Sequence, residues 1–267
     1  MTRHLGLCAA LLWLAACSHT RVLEKPLRPL QWSDLWKDQN VRRAALTQFS
    51  GKLKLAYQGQ GQDVSGKGRI VGRQGGQFRL ELRDPIGRLH YVLVDTGSEV
   101  RVHYPRERVG VEDSTAGEKY FEKNLGERIT FAELAAFFLG LLPEGWDKTT
   151  PSAWEWDSDL GFFRGSLQKG ADSITVWVDS GHAALRRVVW QRAGRAIEAR
   201  LDDFSECCDT QGQRRAGFQL AYEVKVLLDG GDSKAQVSWD SLSKPTQPLP
   251  STAFELKFPA GDRVTRY

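Results

Sequence analysis

Phe218-Gln219-Leu220-Ala221-Tyr222-Glu223-Val224-Lys225-Val226-Leu227-Leu228 is the stretch whose reading decides the fold. Phe218, Leu220, Tyr222, Val224, Val226 and Leu228 take every second place, and Gln219, Glu223 and Lys225 fall between them. Period two puts one set of side chains on one face of a strand, so the segment is a β-strand with one dry face. The same alternation recurs in Phe49-Gly51-Leu53-Leu55-Tyr57, Phe78-Leu80-Leu82, Val100-Val102-Tyr104, Ile174-Val176-Val178, Ile197-Ala199-Leu201 and Ala235-Val237-Trp239. With Gly, Pro and Asp as punctuation, the chain reads as about eleven strands. Short links such as Arg192-Ala193-Gly194-Arg195 and Asp229-Gly230-Gly231-Asp232 predict antiparallel hairpins.

Three segments break the rhythm. Residues 31–47 set Trp32, Leu35, Trp36 and Leu46 among polar residues, and residues 115–124 set Tyr120 and Phe121 among charges. The third opens with Thr130 and Glu133 at capping-box spacing and runs from Phe131 to Pro143, apolar nearly all round. A sheet with one polar face cannot bury its other face alone, so these helices are expected to cover it. The fold class is mainly β with covering helices: a single curved antiparallel sheet under a helical lid.

Composition supports one globular body. The 267 residues are 41% hydrophobic, 10% aromatic and 26% charged, and nine Trp against one Met favour strand-formers. Thirty-seven basic residues face 33 acidic ones, a formal charge of +4. Basic and acidic residues alternate, as in Arg79-Leu80-Glu81-Leu82-Arg83-Asp84, instead of forming the patch a nucleic-acid binder needs. No nucleic-acid partner is expected.

The first residues form a secretory leader. Arg3 and His4 precede the short apolar run Leu5 to Ala16, which ends in Leu14-Ala15-Ala16-Cys17, similar to a bacterial lipobox. Residues 1–16 are then a signal peptide, and Cys17 is the lipidated mature N-terminus, holding the protein on a membrane by its acyl chains. Residues 17–30, with Pro26 and Pro29, read as anchor and tether, and 31–267 as the body. Cys207 and Cys208 are adjacent; in an oxidising compartment they pair with each other in a strained loop, stay free or join another chain. The five His are scattered without ligand spacing and there is no CxxC, so no metal and no cofactor is expected.

The order of parts resembles the LolB-type outer-membrane lipoprotein receptors, and more broadly the family that includes the periplasmic carrier LolA. The resemblance rests on Cys17 and its tether, a Trp-containing helix, Phe49-Ser50-Gly51-Lys52-Leu53, the turn Asp84-Pro85-Ile86-Gly87, and Ile129-Thr130-Phe131-Ala132-Glu133-Leu134 running into Phe138-Leu139-Gly140-Leu141-Leu142-Pro143. It is good over residues 31–145. Ile86 stands where the family has Leu, Phe137-Phe138 where it often has Trp, and the chain is longer at its C-terminal end, around residues 248–259. The resemblance implies an incomplete β-barrel whose apolar interior holds the acyl chains of lipoproteins delivered by a LolA-like carrier. It also implies a monomer on the outer membrane facing the periplasm, Ser18 after the cysteine being non-acidic. In the family the apolar residue of the turn helps deliver lipid to the membrane; here Pro85, Ile86 and Gly87 are the matching loop. The plain alternative is a hairpin turn whose Ile86 tucks into the core.

Alternation assigns the expected cavity to Leu53, Leu55, Leu80, Leu82, Val102, Leu134, Phe138, Val176, Trp190 and Leu201. A one-residue slip would turn any of these strands inside out. No nucleophile elbow, phosphate-cradling loop, zincin helix or catalytic carboxylate pair is present, and Gly72-Arg73-Gln74-Gly75-Gly76 lies between strands without a helix N-terminus, so no enzyme is expected. Trp146, Trp154 and Trp156 offer a second reading as a sugar-stacking platform, which would make the protein a glycan-binding or structural lipoprotein.

Overall fold

The computed structural model describes residues 23–59, 62–73, 76–206, 219–228 and 232–267. The leader, Cys17, Ser18, Cys207, Cys208, Phe218 and most of the Asp229–Asp232 link lie outside the described residues. Where about eleven strands were expected, fifteen among the described residues form one sheet, in the order β15-β6-β5-β4-β3-β2-β1-β14-β13-β12-β11-β10-β9-β7, with β8 also on β9. Its two ends do not meet, so the sheet is a large open curve and not a closed barrel.

The first half is a meander of β1 (Gln48–Gly59), β2 (Gln62–Arg73), β3 (Gln77–Arg83), β4 (Leu89–Thr96), β5 (Val100–Tyr104) and β6 (Val109–Asp113). The second runs through β9 (Phe162–Lys169), β10 (Asp172–Val178), β11 (Leu185–Arg192), β12 (Arg195–Glu206), β13 (Gln219–Leu228) and β14 (Ser233–Ser243). Antiparallel pairing of β1 with β14, Leu55 opposite Val237, joins the halves. Among the strands that show no apolar stripe are β7 (Thr150–Pro151), β8 (Glu155–Asp157) and β15 (Arg263–Arg266), two to four residues long. β15 also departs from the hairpin rule, pairing in parallel with β6.

The dry face came out as the alternation demands. Leu220, Val224, Val226 and Leu228 are fully buried, with Leu53, Leu80, Leu82, Val102, Ile174, Val176, Val178, Ile197, Ala199, Leu201 and Val237 in the same core. Over this face lie α1 (Trp32–Ala45), α2 (Glu118–Leu125) and α3 (Phe131–Phe138). α1 buries Leu35 together with two polar residues, Gln39 and Arg42. Gln39 stitches the loop after α3, donating to Gly140 O and accepting from Leu142 N, and Arg42 donates to Asp38.

Two further features frame the body. Leu23 is held beside β8, its N donating to Ser158 O and Trp156 Nε1 donating to its carbonyl, and Leu30 is buried. After β14 the chain returns over the opposite face of the sheet. There Phe254 and Leu256 pack on Val92 and Val94 as a second small core, and Arg79 and Arg101 donate to the carbonyls of Glu255 and Leu256. Phe258 lies flat on Gly110, where a Cβ would approach its ring to 2.7 Å.

Candidate functional site

Local sequence fixes the two helices of the connection between the halves. α2 starts at Gly117 and ends at Gly126, both with positive φ, a conformation glycine adopts at no steric cost. The buried carboxylate of Asp113, last residue of β6, accepts from Thr115 N and Tyr120 N and so ties the start of α2 to the sheet. α3 has the capping box read from the sequence: Glu133 N donates to Thr130 Oγ1 and Thr130 N to Glu133 Oε2.

α3 separates two spaces. Phe131, Leu134 and Phe138, at i, i+3 and i+7, face a cavity of about 100 Å³ against Leu55, Leu80, Leu82 and Leu93 of the sheet and Phe121 and Leu125 of α2. Ala132, Glu133 and Ala136 face an open groove of about 580 Å³ with a floor of Phe49, Phe78, Trp146 and Trp190 and the charges of Arg43, Arg73, Lys169, Glu144 and Asp172 at its sides. Such all-round contact explains why α3 is apolar on nearly every side.

The ten residues assigned from alternation are therefore divided. Leu55, Leu80, Leu82, Leu134 and Phe138 come together around the small cavity. Trp190 lies on the groove, edge-on to Trp146 and Phe137. Leu53, Val102, Val176 and Leu201 are at most 2% exposed and belong to the packed core on the same face, lining neither space. The tyrosines on the cavity wall, Tyr57, Tyr91, Tyr104 and Tyr120, are absent from the sequence-based set. Tyr57 and Tyr104 close two of the alternating stripes, which is the signal that could have found them.

Those tyrosines form a polar end to an otherwise apolar space. Tyr104 Oη lies 2.7 Å from Tyr120 Oη, Tyr91 Oη 3.4 Å from the same oxygen, and Tyr57 Oη donates to Asn124 O at 2.9 Å. Burial pushes the hydroxyls of Tyr91, Tyr104 and Tyr120 upward, so all three stay protonated in any physiological medium.

The loop 84–87 is a built turn. Gly87 N donates to Asp84 O, Gly87 has φ 84°, and Asp84 Oδ1 accepts from Ile86 N and Arg88 N. Partial desolvation raises the Asp84 carboxyl, but the Arg88 hydrogen bonds and the nearby Arg106 guanidinium outweigh it and hold the group below the usual carboxylate range. Ile86 is 71% exposed, so it does not tuck into the core.

The three tryptophans of the alternative reading are not one platform. Trp146 is buried beside Trp190, whereas Trp154 is stacked at 4.1 Å under Trp32 and Trp156 packs on Phe163. Among the described residues no group of three His, Cys, Asp or Glu is arranged to hold a metal ion, and no helix is long and apolar enough to cross a membrane.

No family model matches the sequence, and no curated protein matches it. Solved structures do match in shape. A LolA superfamily protein from Nitrosomonas europaea superposes with a TM-score of 0.54 at 12% identity, covering 84% of this chain and 97% of that one. The chain has a LolA-like fold. A DUF1329 family protein from Desulfovibrio piger gives 0.54 at 10% identity over 83% and 97% of the two chains. A domain assigned to outer-membrane lipoprotein sorting, from Vibrio parahaemolyticus, gives 0.53 at 9% over 83% and 94%. In this LolA-like fold the likeness spans 83–84% of the chain and is one of shape.

Proposed function

We propose that this protein is an outer-membrane lipoprotein of the LolB type: anchored through Cys17, it receives acylated lipoproteins from a LolA-like periplasmic carrier, holds their acyl chains between helices and sheet, and passes them to the membrane. The observation that carries this reading is the uncharged cavity between α3 and the sheet, closed by α2. Binding, not chemistry, is its work.

The energetics are coherent. Burial of a chain of about 16 carbons is worth on the order of 10 kcal/mol at ~0.8 kcal/mol per CH₂, enough to hold lipid in water. The cavity of about 100 Å³ is smaller than the roughly 300–1,000 Å³ of ordinary ligand pockets, so loading requires α2 and α3 to lift from the sheet. Part of the burial energy is spent on that displacement, and the bilayer then competes for the chain. Pro85, Ile86 and Gly87 present an exposed apolar tip on a rigid turn, suited to touch the bilayer during transfer.

Native mass spectrometry of residues 18–267 with a diacylated peptide tests the reading. Stoichiometric binding, with Ile86→Glu leaving binding intact and stopping transfer to liposomes, is the expected result. Absence of any acylated complex would reduce the seam to packed core.

A further inference from the structure

Beside Tyr57 and Asn124 the cavity wall carries the trio Tyr91, Tyr104 and Tyr120, which has one hydrogen more than its internal bonds use. Three hydroxyls carry three hydrogens, and each can also accept. Tyr120 Oη is shared by Tyr104 at 2.7 Å and Tyr91 at 3.4 Å, two bonds that use two hydrogens. One O–H is left to donate, on the wall of a space otherwise lined by Leu, Val, Phe and Ala together with Tyr57 and Asn124. Tyr91 and Tyr104 are only partly buried, so this O–H is within reach of an oxygen that enters the cavity at that end.

The chemistry of that oxygen follows from what is missing around it. No charged side chain lines the cavity. A carboxylate or phosphate entering it would lose its hydration without gaining a cation. Phenols held protonated by burial offer hydrogen bonds to a neutral acceptor instead.

The position of the trio gives the direction. Tyr91 pairs across the ladder with Leu82, close to the β3–β4 turn that carries Ile86, and Tyr104 closes β5 next to Pro105 and Arg106, whose guanidinium binds Asp84 of that turn. The polar end of the cavity is therefore at the Ile86 end of the molecule.

We propose that Tyr91, Tyr104 and Tyr120 form a subsite for the ester carbonyl of an acyl-glycerol group, with the chain lying inward against Leu80, Leu82 and Phe138 and the ester held at the Ile86 end. This inference rests on the lipid-holding reading above and adds to it the recognition of an ester over an ether or a bare hydrocarbon. The glyceryl group then leaves nearest the membrane tip.

The test compares two probes by native mass spectrometry on residues 18–267: a cysteine peptide carrying a dipalmitoyl-glyceryl group, and the same peptide with ether-linked hexadecyl chains. A single neutral hydrogen bond predicts that the ester binds about fivefold more tightly than the ether in the native sequence. In the triple variant Tyr91→Phe, Tyr104→Phe, Tyr120→Phe that ratio falls to about one. The ratio is internal to each variant, so a general loss of stability, which weakens both probes together, does not imitate the result. Equal affinity for ester and ether in the native protein, or a preference unchanged in the triple variant, overturns the subsite and leaves the lipid-holding reading standing. Failure of both probes to bind the native protein overturns the two together.

Discussion

Arg192, the last residue of β11, holds both carboxylate oxygens of Glu133, the third residue of α3, at 3.1 Å. The same carboxylate closes the capping box with Thr130. One side chain therefore both starts the lid helix and fastens it to the far half of the sheet, so it governs how readily α3 lifts. Glu133→Ala is expected to cost about 1–2 kcal/mol, the sum of a lost cap and a half-exposed ion pair, and to lower the melting temperature by about 5 °C. Calorimetry gives the first number. Hydrogen exchange should show faster opening confined to α3, and an unchanged protection there would refute the fastening role.

Gly165 of β9 is the seat of the Trp32–Trp154 stack. A Cβ there would lie 2.6 Å from Trp32 Cζ2 and 2.8 Å from two carbons of Trp154. Gly165→Ala is therefore expected to cost about 1–3 kcal/mol by overpacking and to shift tryptophan emission as α1 is pushed off. Unfolding in urea, followed by fluorescence, checks both.

Asp95, near the end of β4, is 1% exposed and, among the described residues, accepts from Gly97 N alone. Desolvation pushes its pKa up to about 6, against an ordinary 3.8. A carboxyl raised in the folded state costs stability when ionised, so the penalty is absent below pH 4 and complete above pH 6. At ~1.4 kcal/mol per unit, stability should fall by about 3 kcal/mol across that window from this group. Asp95→Asn keeps the acceptor and removes the charge; its unfolding free energy, measured from pH 4 to 7, should lack this decline.

The returning C-terminal segment hangs on Phe254. Its ring fills the small outer core with Val92, Val94 and Leu256, and Arg73 lies over it at 4.9 Å. Phe254→Ala should cost about 3–5 kcal/mol, as for other buried aromatics, and should open residues 249–262 to limited proteolysis well before the rest of the sheet. Cleavage with native kinetics would show that the segment is held by its hydrogen bonds and not by this ring.

Much of this was written in alternation. Leu220 to Leu228, Leu53 to Tyr57 and Ile197 to Leu201 declare their buried faces because Glu223, Lys225, Lys54, Glu198 and Arg200 take intervening places, and Thr130 with Glu133 declares the start of α3. Strands without such contrast were silent: Pro151 and Val264 sit in strands of two and four residues whose pairing is set by position in the sheet. The site was half legible. Periodicity assigns a face, so it placed Leu80 and Val102 together on the concave side. It cannot tell which concave residues meet a helix tightly and which leave space. That depends on where α3 crosses, and Gln39, Gly140 and Arg192 settle the crossing through contacts about 50 to 100 residues apart. Tyr120 was read with Phe121 as an aromatic among charges in a covering helix, and only the fold brings it to Tyr91 and Tyr104.

The seam between β1 and β14 has a consequence in time. Ser50 faces Ser243, a separation of 193 residues, so the middle of the sheet is completed only after β14 has been made. Until then β1 has β2 on one side and a bare edge on the other, able to template pairing with another chain. Contacts of such range are slow to form. The two meanders are thus made before they are joined, and a version ending before Ser233 is expected to keep the edge of β1 bare.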